Sequence, residues 1–481
     1  MDIAFVSAEM APFSKTGGLG DVAMALPKAL AARGHRVLAI SPRYKDVPEA
    51  HALPFHATVH LFGADHTVRY YAVDRDRVRW LLVDHPTFHR PGIYGDSSGA
   101  YGDNLYRYAL LSRAAIEACT RVPVGQRPLG ERVLFHCNDW HTGLLPVYLD
   151  AAYRPVGRFS RSGVVLGLHN LGHQGTSPAE AFGALDLAPR WWPTLDMSGR
   201  LNPLKAGIVS ADALVAVSPT YSRQIQHDHG FGLESVLRLR HERLVGILNG
   251  VDATWDPRTD PHLPAHFGPD DLSGKARCKS SLQSELGLPI RADVPVLALI
   301  SRLDPQKGID LVLEVAPWLL AQGVQLVMLG SGADRYQSAF RELAARHPHQ
   351  VGVKIGFDEP LSHRIEAGAD LFLMPSRFEP CGLNQMYSMR YGTVPEVHAT
   401  GGHADTVVPA APGRDDGTGW AFPTFSAESF AQALGFALTT YREYPAAWRQ
   451  IQRAGMTTDF SWNASAALYE KVYERVLGWR S

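Results

Sequence analysis

Glu379 is the residue on which a chemical reading of this chain turns, because it stands between the end of an apolar run and the start of a helical pattern. From Asp370 to Thr406 the chain reads DLFLMPSRFEPCGLNQMYSMRYGTVPEVHATGGHADT. Leu371 to Met374 have the character of a buried strand, and the strand breaks at Pro375 into a functional loop. After Pro380, apolar or aromatic residues recur at Leu383, Met386, Tyr387 and Met389 up to the stop signal Gly392, so a helix is expected to begin near Cys381 to Asn384. Its first N–H groups lack intrahelical partners and carry the positive end of the helix dipole, which lets Cys381, Gly382, Leu383 and Asn384 meet a phosphate. A carboxylate beside an anion would repel it, and Glu379 is therefore matched to hydroxyls on a neutral part of the same ligand. A phosphate joined to a hydroxyl-rich neutral group describes a sugar nucleotide.

Other stretches carry complementary chemistry. Lys15 to Asp21, KTGGLGD, is a glycine-rich turn between an apolar strand over residues 3 to 8 and an amphipathic helix from Val22 to Arg33, and Val37 to Ile40 completes a βαβ unit. The spacing matches neither GxGxxG nor the P-loop. Gly17 and Gly18 let the backbone approach a ligand and Lys15 adds a point charge for a phosphate; a tight turn with a solvated lysine is the bland alternative. Arg302 and Lys307 in SRLDPQKG follow the strand Val296 to Ile300, and two cations there could neutralise a diphosphate. His169 and Asn170 leave the strand Val164 to Leu168 at its carboxyl end, where open α/β sheets bind ligands, although a satisfied structural histidine has the same look. HCNDWH, His136 to His141, has the composition of a metal cluster. Successive strand side chains point to opposite faces and a helix starts near Trp140, so no metal site is expected, and Asp139 is better suited to a cleft at the strand's end.

The elements that must position these residues alternate helix and strand through both halves, the pattern of an α/β fold. Two domains are expected of 481 residues. The first spans 1–251, the second 252–455 with residues 252 to 275 as its linker, and 456–481 form a helix that folds back on the first. That helix is expected to present an apolar stripe at Leu468, Val472, Tyr473 and Val476. With Lys+Arg 47 against Asp+Glu 48 the net charge is -1, which gives no reason to expect a nucleic-acid or membrane partner. No basic n-region opens the chain and no apolar run reaches the ~18 residues of a membrane span. Four scattered cysteines without a CxxC suit reduced thiols, and a cytoplasmic location is expected. The residues imply no oligomeric state.

Together these residues resemble the bacterial glycogen synthase and plant starch synthase family, through KTGGLGDV at 15, NDWHTGLLP at 138, HNLGHQG at 169, LKAGIVSAD at 204, ILNGVD at 247, SRLDPQKG at 301 and PSRFEPCGLNQ at 375. The resemblance covers essentially the whole chain. It implies the GT-B fold, two Rossmann-like domains with parallel sheets facing an interdomain cleft. It also implies a retaining transfer of glucose from ADP-glucose to the non-reducing 4-hydroxyl of an α-1,4-glucan such as glycogen, without a metal or cofactor. By the same resemblance Lys15, Gly17, Gly18, Arg302 and Lys307 hold the donor phosphates, Glu379 binds the glucose hydroxyls, and Cys381 to Asn384 present the helix N-terminus. His169 lies beside the anomeric centre, Phe357 stacks the adenine where Tyr is common, and Asp21, Asp139, Asn170 and Asn249 line the cleft. The chain departs from the family where Glu396 replaces an apolar strand residue, His398 an arginine and His403 a leucine, and where Gly172 and His173 replace Ala-Tyr. Other donors such as UDP-glucose, a small glucoside product, or a glucan-binding protein without turnover are the competing readings.

Overall fold

Short Val-, Ile- and Leu-rich runs buried on both faces form most strands, as a parallel sheet between helical layers requires. In the computed structural model, residues 1–480 are described. They divide into two compact units, Met1–Gly250 with the chain from Trp462 onward, and Val251–Ser461. The second unit thus runs on to Ser461, beyond the end at 455 expected from the sequence.

The first unit contains β1 (Asp2–Val6), α1 (Gly18–Ala32), β2 (Arg36–Pro42), β3 (His51–Leu61), β4 (Ala64–Arg75), β5 (Val78–Asp84), α2 (Asn104–Arg121), β6 (Leu134–Asn138), β7 (Gly163–Leu168), β8 (Ala213–Ala216) and β9 (Leu244–Gly246). Its sheet has the order β9-β8-β7-β6-β1-β2-β5-β4-β3. Pairing is parallel from β9 to β5, whereas β4 pairs antiparallel with both β5 and β3. The sheet is therefore not wholly parallel. β3 escapes a reading based on buried runs because only alternate residues near its end, Ala57, Val59 and Leu61, are buried.

The second unit contains α3 (Ser273–Glu285), β10 (Val296–Leu303), α4 (Ile309–Ala321), β11 (Gln325–Gly332), α5 (Asp334–Arg346), β12 (Val351–Ile355), α6 (Glu359–Gly368), β13 (Leu371–Met374), α7 (Asn384–Arg390), β14 (Val394–His398), α8 (Gly401–Thr406), β15 (Trp420–Phe422), α9 (Ala427–Glu443) and α10 (Pro445–Thr457). Its six strands are parallel in the order β12-β11-β10-β13-β14-β15. In both sheets the order reverses beside the unit's first strand, between β1 and β6 in one and between β10 and β13 in the other. Open α/β sheets bind ligands beyond the carboxyl ends of such strands.

Residues 252 to 275 are not a free linker. Trp255 stacks on His363 at 3.8 Å and on Tyr387 at 4.0 Å between ring centroids. Buried Asp260 accepts from Tyr391 Oη at 2.5 Å and meets His363 Nδ1 at 2.7 Å, and α3 already begins at Ser273. Composition read as loop hides side chains that anchor the segment to its own unit. The last helix, α11 (Trp462–Trp479), packs in the first unit's core through Tyr469, Val472, Tyr473 and Val476. Leu468, expected in that stripe, is 47% exposed.

Glu396 lies in β14 between Leu373 of β13 and Trp420 of β15, both members of the second unit's apolar core. It is 0% exposed, and neither carboxyl oxygen has a hydrogen-bond partner among the described residues. His398, two residues on, gives its Nδ1 to the carbonyl of Ser376 at 2.7 Å. Burial without compensation pushes the Glu396 pKa well above its ordinary 4.5. The folded state then holds the proton more tightly than the unfolded state, so stability is fullest below 4.5 and is lost as pH rises towards the folded value. Glu396→Ile is expected to stabilise the protein by about 1–3 kcal/mol at neutral pH. Its advantage over the wild type should grow with pH in denaturation curves; a lower melting temperature, or an advantage independent of pH, would contradict this account.

Candidate active site

At the switch point of the second unit, Lys307 lies in the short turn after β10 and Glu379 in the loop after β13. Their side chains meet, Lys307 Nζ to Glu379 Oε2 at 2.6 Å, and Ser376 Oγ donates to the same oxygen at 3.0 Å. Glu379 is only 6% exposed. Burial would raise its pKa, but the Lys307 ammonium, nearby His403 and the two hydrogen bonds outweigh burial and hold it below the ordinary value. Glu379 is thus an ionised acceptor, suited to hydroxyl donors.

Arg302 belongs to the end of β10 itself, and its exposed guanidinium pairs with Asp304 at 3.0 Å. Asn384 opens α7 and ties its amide Nδ2 to the Ile300 carbonyl at 3.0 Å, so the helix start is fastened to β10. Cys381, Gly382 and Leu383 precede the helix, which has seven residues. Phe357 follows β12 and leaves its ring 82% exposed, free to stack on a ligand.

In the first unit α1 starts at Gly18, so Gly18 to Asp21 form its first turn and only Lys15 to Gly17 remain in the loop. Lys15 Nζ pairs with Asp21 at 2.8 Å across that start. The loop is held by a residue that belongs to none of the sequence motifs, buried Glu9 after β1. Its carboxylate accepts from Thr16 N at 2.6 Å, Thr16 Oγ1 at 2.7 Å, Gly17 N at 3.1 Å and Tyr94 Oη at 2.6 Å. The only signal in the sequence is an acidic residue directly beyond an apolar strand.

Across the switch point, after β6, Asp139 adopts φ 52° and ψ -167°, a region costly to side-chain-bearing residues by about 1–3 kcal/mol. Two contacts hold it there: its N–H donates to the Gly167 carbonyl at 2.9 Å, and its carboxylate accepts from His169 N at 2.7 Å. The carboxylate therefore orders the loop after β7. Burial pushes its pKa up to about 7, against the hydrogen bonds from the His169 and Asn170 backbone. The imidazole of His169 is fixed by Asn138, whose Oδ1 lies 2.8 Å from Nε2 while its Nδ2 donates to the Val6 carbonyl at 2.9 Å. Nε2 consequently carries the proton and Nδ1 the lone pair. Burial lowers the ring's pKa to about 4, so it is neutral at neutral pH. Asn170 turns its Oδ1 to Gly172 N at 3.0 Å, and Asn249 is buried with its Oδ1 unpartnered among the described residues.

The HCNDWH residues do not converge. His136 Nδ1 meets Tyr473 Oη at 2.6 Å, whereas His141 sits among the rings of Tyr94, Tyr108 and Trp140. Among the described residues no group of three or more His, Cys, Asp or Glu could hold a metal ion.

Two open α/β units, each with candidate site residues beyond the strands of its switch point, are the architecture of the GT-B glycosyltransferases, the class to which known proteins relate this chain. The family profile described as "Starch synthase catalytic domain" matches residues 2–239, and that described as "Glycosyl transferases group 1" matches 287–454. A glycogen synthase from Anaeromyxobacter sp. (strain Fw109-5) is 48% identical over 98% of this chain and 99% of its own. Starch synthase 1 of Arabidopsis thaliana is 46% identical over 99% of this chain and 77% of its own. The solved catalytic domain of starch synthase IV from Arabidopsis thaliana, bound to ADP and acarbose, superposes with a TM-score of 0.90 at 33% identity, covering 99% of both chains. The chain belongs to the glycogen synthase and starch synthase family.

Because Glu9 supplies the acceptors that order Lys15 to Gly17, Glu9→Ala is expected to cost about 2 kcal/mol. It should lower kcat at least about tenfold, a loss of about 1.4 kcal/mol in barrier terms. Amide hydrogen exchange at Thr16 and Gly17 should accelerate; unchanged protection there would show that the loop is ordered by something else.

Proposed function

We propose that this protein transfers glucose from ADP-glucose to the non-reducing 4-hydroxyl of an α-1,4-glucan such as glycogen, with retention at the anomeric carbon. The observation that carries the reading is the Lys307–Glu379 pair at the switch point of the second unit, which sets a cation for a phosphate beside a buried, ionised acceptor for sugar hydroxyls. The kinship with glycogen and starch synthases, and the ADP and acarbose bound to a structural neighbour, support the chemical class of both ligands.

In this reading the leaving diphosphate grows more negative as the glycosidic bond breaks. Lys15, Arg302 and Lys307 then bind the transition state more tightly than the ground state, and neither a metal nor a cofactor is needed to meet that charge. Gly17 and Gly18 approach the phosphates, with Asp21 orienting Lys15, while Cys381 to Asn384 face the same charge. Glu379 holds the glucose, and neutral His169 lies beside the anomeric centre on a loop ordered by Asp139. Asn170 borders the acceptor and Asn249 the donor. The location proposed is the cytoplasm, which suits four free, buried cysteines.

Glucose incorporation into glycogen from ADP-glucose and UDP-glucose, measured side by side, tests the proposal. ADP-glucose should have at least about tenfold higher kcat/KM, equivalent to 1.4 kcal/mol of differential transition-state binding. Equal or reversed preference would overturn the donor assignment, and no incorporation from either would leave a glucan-binding protein. Phe357→Ala should raise the donor KM with little change in kcat, since stacking on the base is made equally in ground and transition states. Phe357→Tyr should be mild; an unaltered KM in Phe357→Ala would remove the ring from the donor site.

A further inference from the structure

His403 has no part in the reaction as described, yet it follows directly on a glycine pair fastened to the backbone of Glu379. α8 is pressed onto the loop 379–381 by its two glycines. Gly402 N donates to the Glu379 carbonyl at 3.0 Å, and a Cβ on Gly401, whose φ is +47°, would fall 1.9 Å from that same oxygen. His403 is the first side chain after this close contact, and it is 0% exposed. Its Nδ1–H donates to the His398 carbonyl at 3.2 Å, which leaves a lone pair on Nε2, and Nε2 has no hydrogen-bond partner among the described residues. A buried acceptor left in this state costs about 1–3 kcal/mol and calls for an explanation, one of which is use in another state of the protein.

The charges around the ring indicate that state. Glu379, from the loop after β13, favours a proton on His403; Lys307, from the turn after β10, and His398, from β14, oppose it. α7 presents the neutral Gln385, whose Nε2 donates to Thr406 Oγ1 of α8 at 3.1 Å. Burial, with Lys307 adding to it, holds the imidazole down at about 4, so the ring is neutral while Lys307 is committed to Glu379. A diphosphate that engages Lys307 changes this balance. It neutralises the opposing charge and draws the ammonium away from a carboxylate that is too buried to remain ionised alone.

We propose that His403 is a positioning residue for the donor site: when the diphosphate of a sugar nucleotide engages Lys307, His403 takes a proton from solvent onto Nε2 and becomes the counter-ion that keeps Glu379 ionised and in place. This rests on the nucleotide-donor reading above. Calorimetric titration of the full chain with ADP at pH 6.5, in buffers of different ionisation enthalpy, counts the protons taken up per nucleotide bound. Wild-type protein should take up more protons than His403→Leu or His403→Gln, by an amount approaching one. The glutamine variant keeps a polar side chain but cannot accept the proton, and either variant suffices if the other does not fold. Equal proton uptake in wild type and variant would overturn the proposal. A wild-type protein that binds no ADP would instead overturn the donor reading beneath it.

Discussion

A carboxylate can be buried only if donors replace the water it loses, and the loops of this protein are built around that requirement. Glu9 follows β1, Asp139 follows β6 and Glu379 follows β13, each at the carboxyl edge of a strand beside a switch point. Glu9 is satisfied by two loop amides and two hydroxyls, Asp139 by the backbone of the loop after β7, and Glu379 by an ammonium and a hydroxyl. In each case the donors belong to segments with little regular structure of their own. The carboxylate and the loop order one another: removing the carboxylate would release the loop that its acceptors hold.

These anchors differ in what they leave free for a ligand. Asp139 spends its acceptors on backbone amides and Glu9 on amides and hydroxyls, a fixed cost of the fold that also positions Lys15 and His169. Glu379 is held instead by a flexible lysine, whose ammonium can exchange one anion for another without breaking secondary structure. A lysine paired to the carboxylate before the ligand arrives is already ordered near the place where a phosphate would need it, so less side-chain entropy is lost on binding.

The alternation of helices and strands was legible in the sequence because parallel strands covered on both faces read as continuous apolar runs. The same runs placed Lys15, His169, Lys307 and Glu379 in the segments that follow them, whereas Arg302, expected in a loop, ends its strand. Other features were not legible, for physical reasons. Glu9 finds its partners at Thr16, Gly17 and Tyr94, so nothing adjacent to it in the chain marks its role. The direction in which Asp139 points depends on a positive φ that its residue type does not announce. Trp255 and Asp260 lie amid prolines and charges that read as linker, and their anchoring depends on His363 and Tyr391, about a hundred residues on. On α11 the buried stripe includes Tyr469 and omits Leu468, because an aromatic residue with a polar tip can face either the core or water and only packing decides.

The departures from the family pattern separate in the same physical terms. Glu396 interrupts the apolar face of β14 and has no donor, so its cost falls on the stability of the whole unit. Glu379 is held by contacts other than Glu396: the diglycine of α8 fastens to the backbone of the 379–381 loop, and Lys307 and Ser376 hold the side chain. A carboxyl group on β14 can therefore be carried without moving the site beside it, provided the group keeps its proton. His403 lies on the other side of this division, packed behind the loop and within reach of its charges. A change there acts on how the charge of Glu379 is balanced, while a change at 396 acts on whether the unit stays folded.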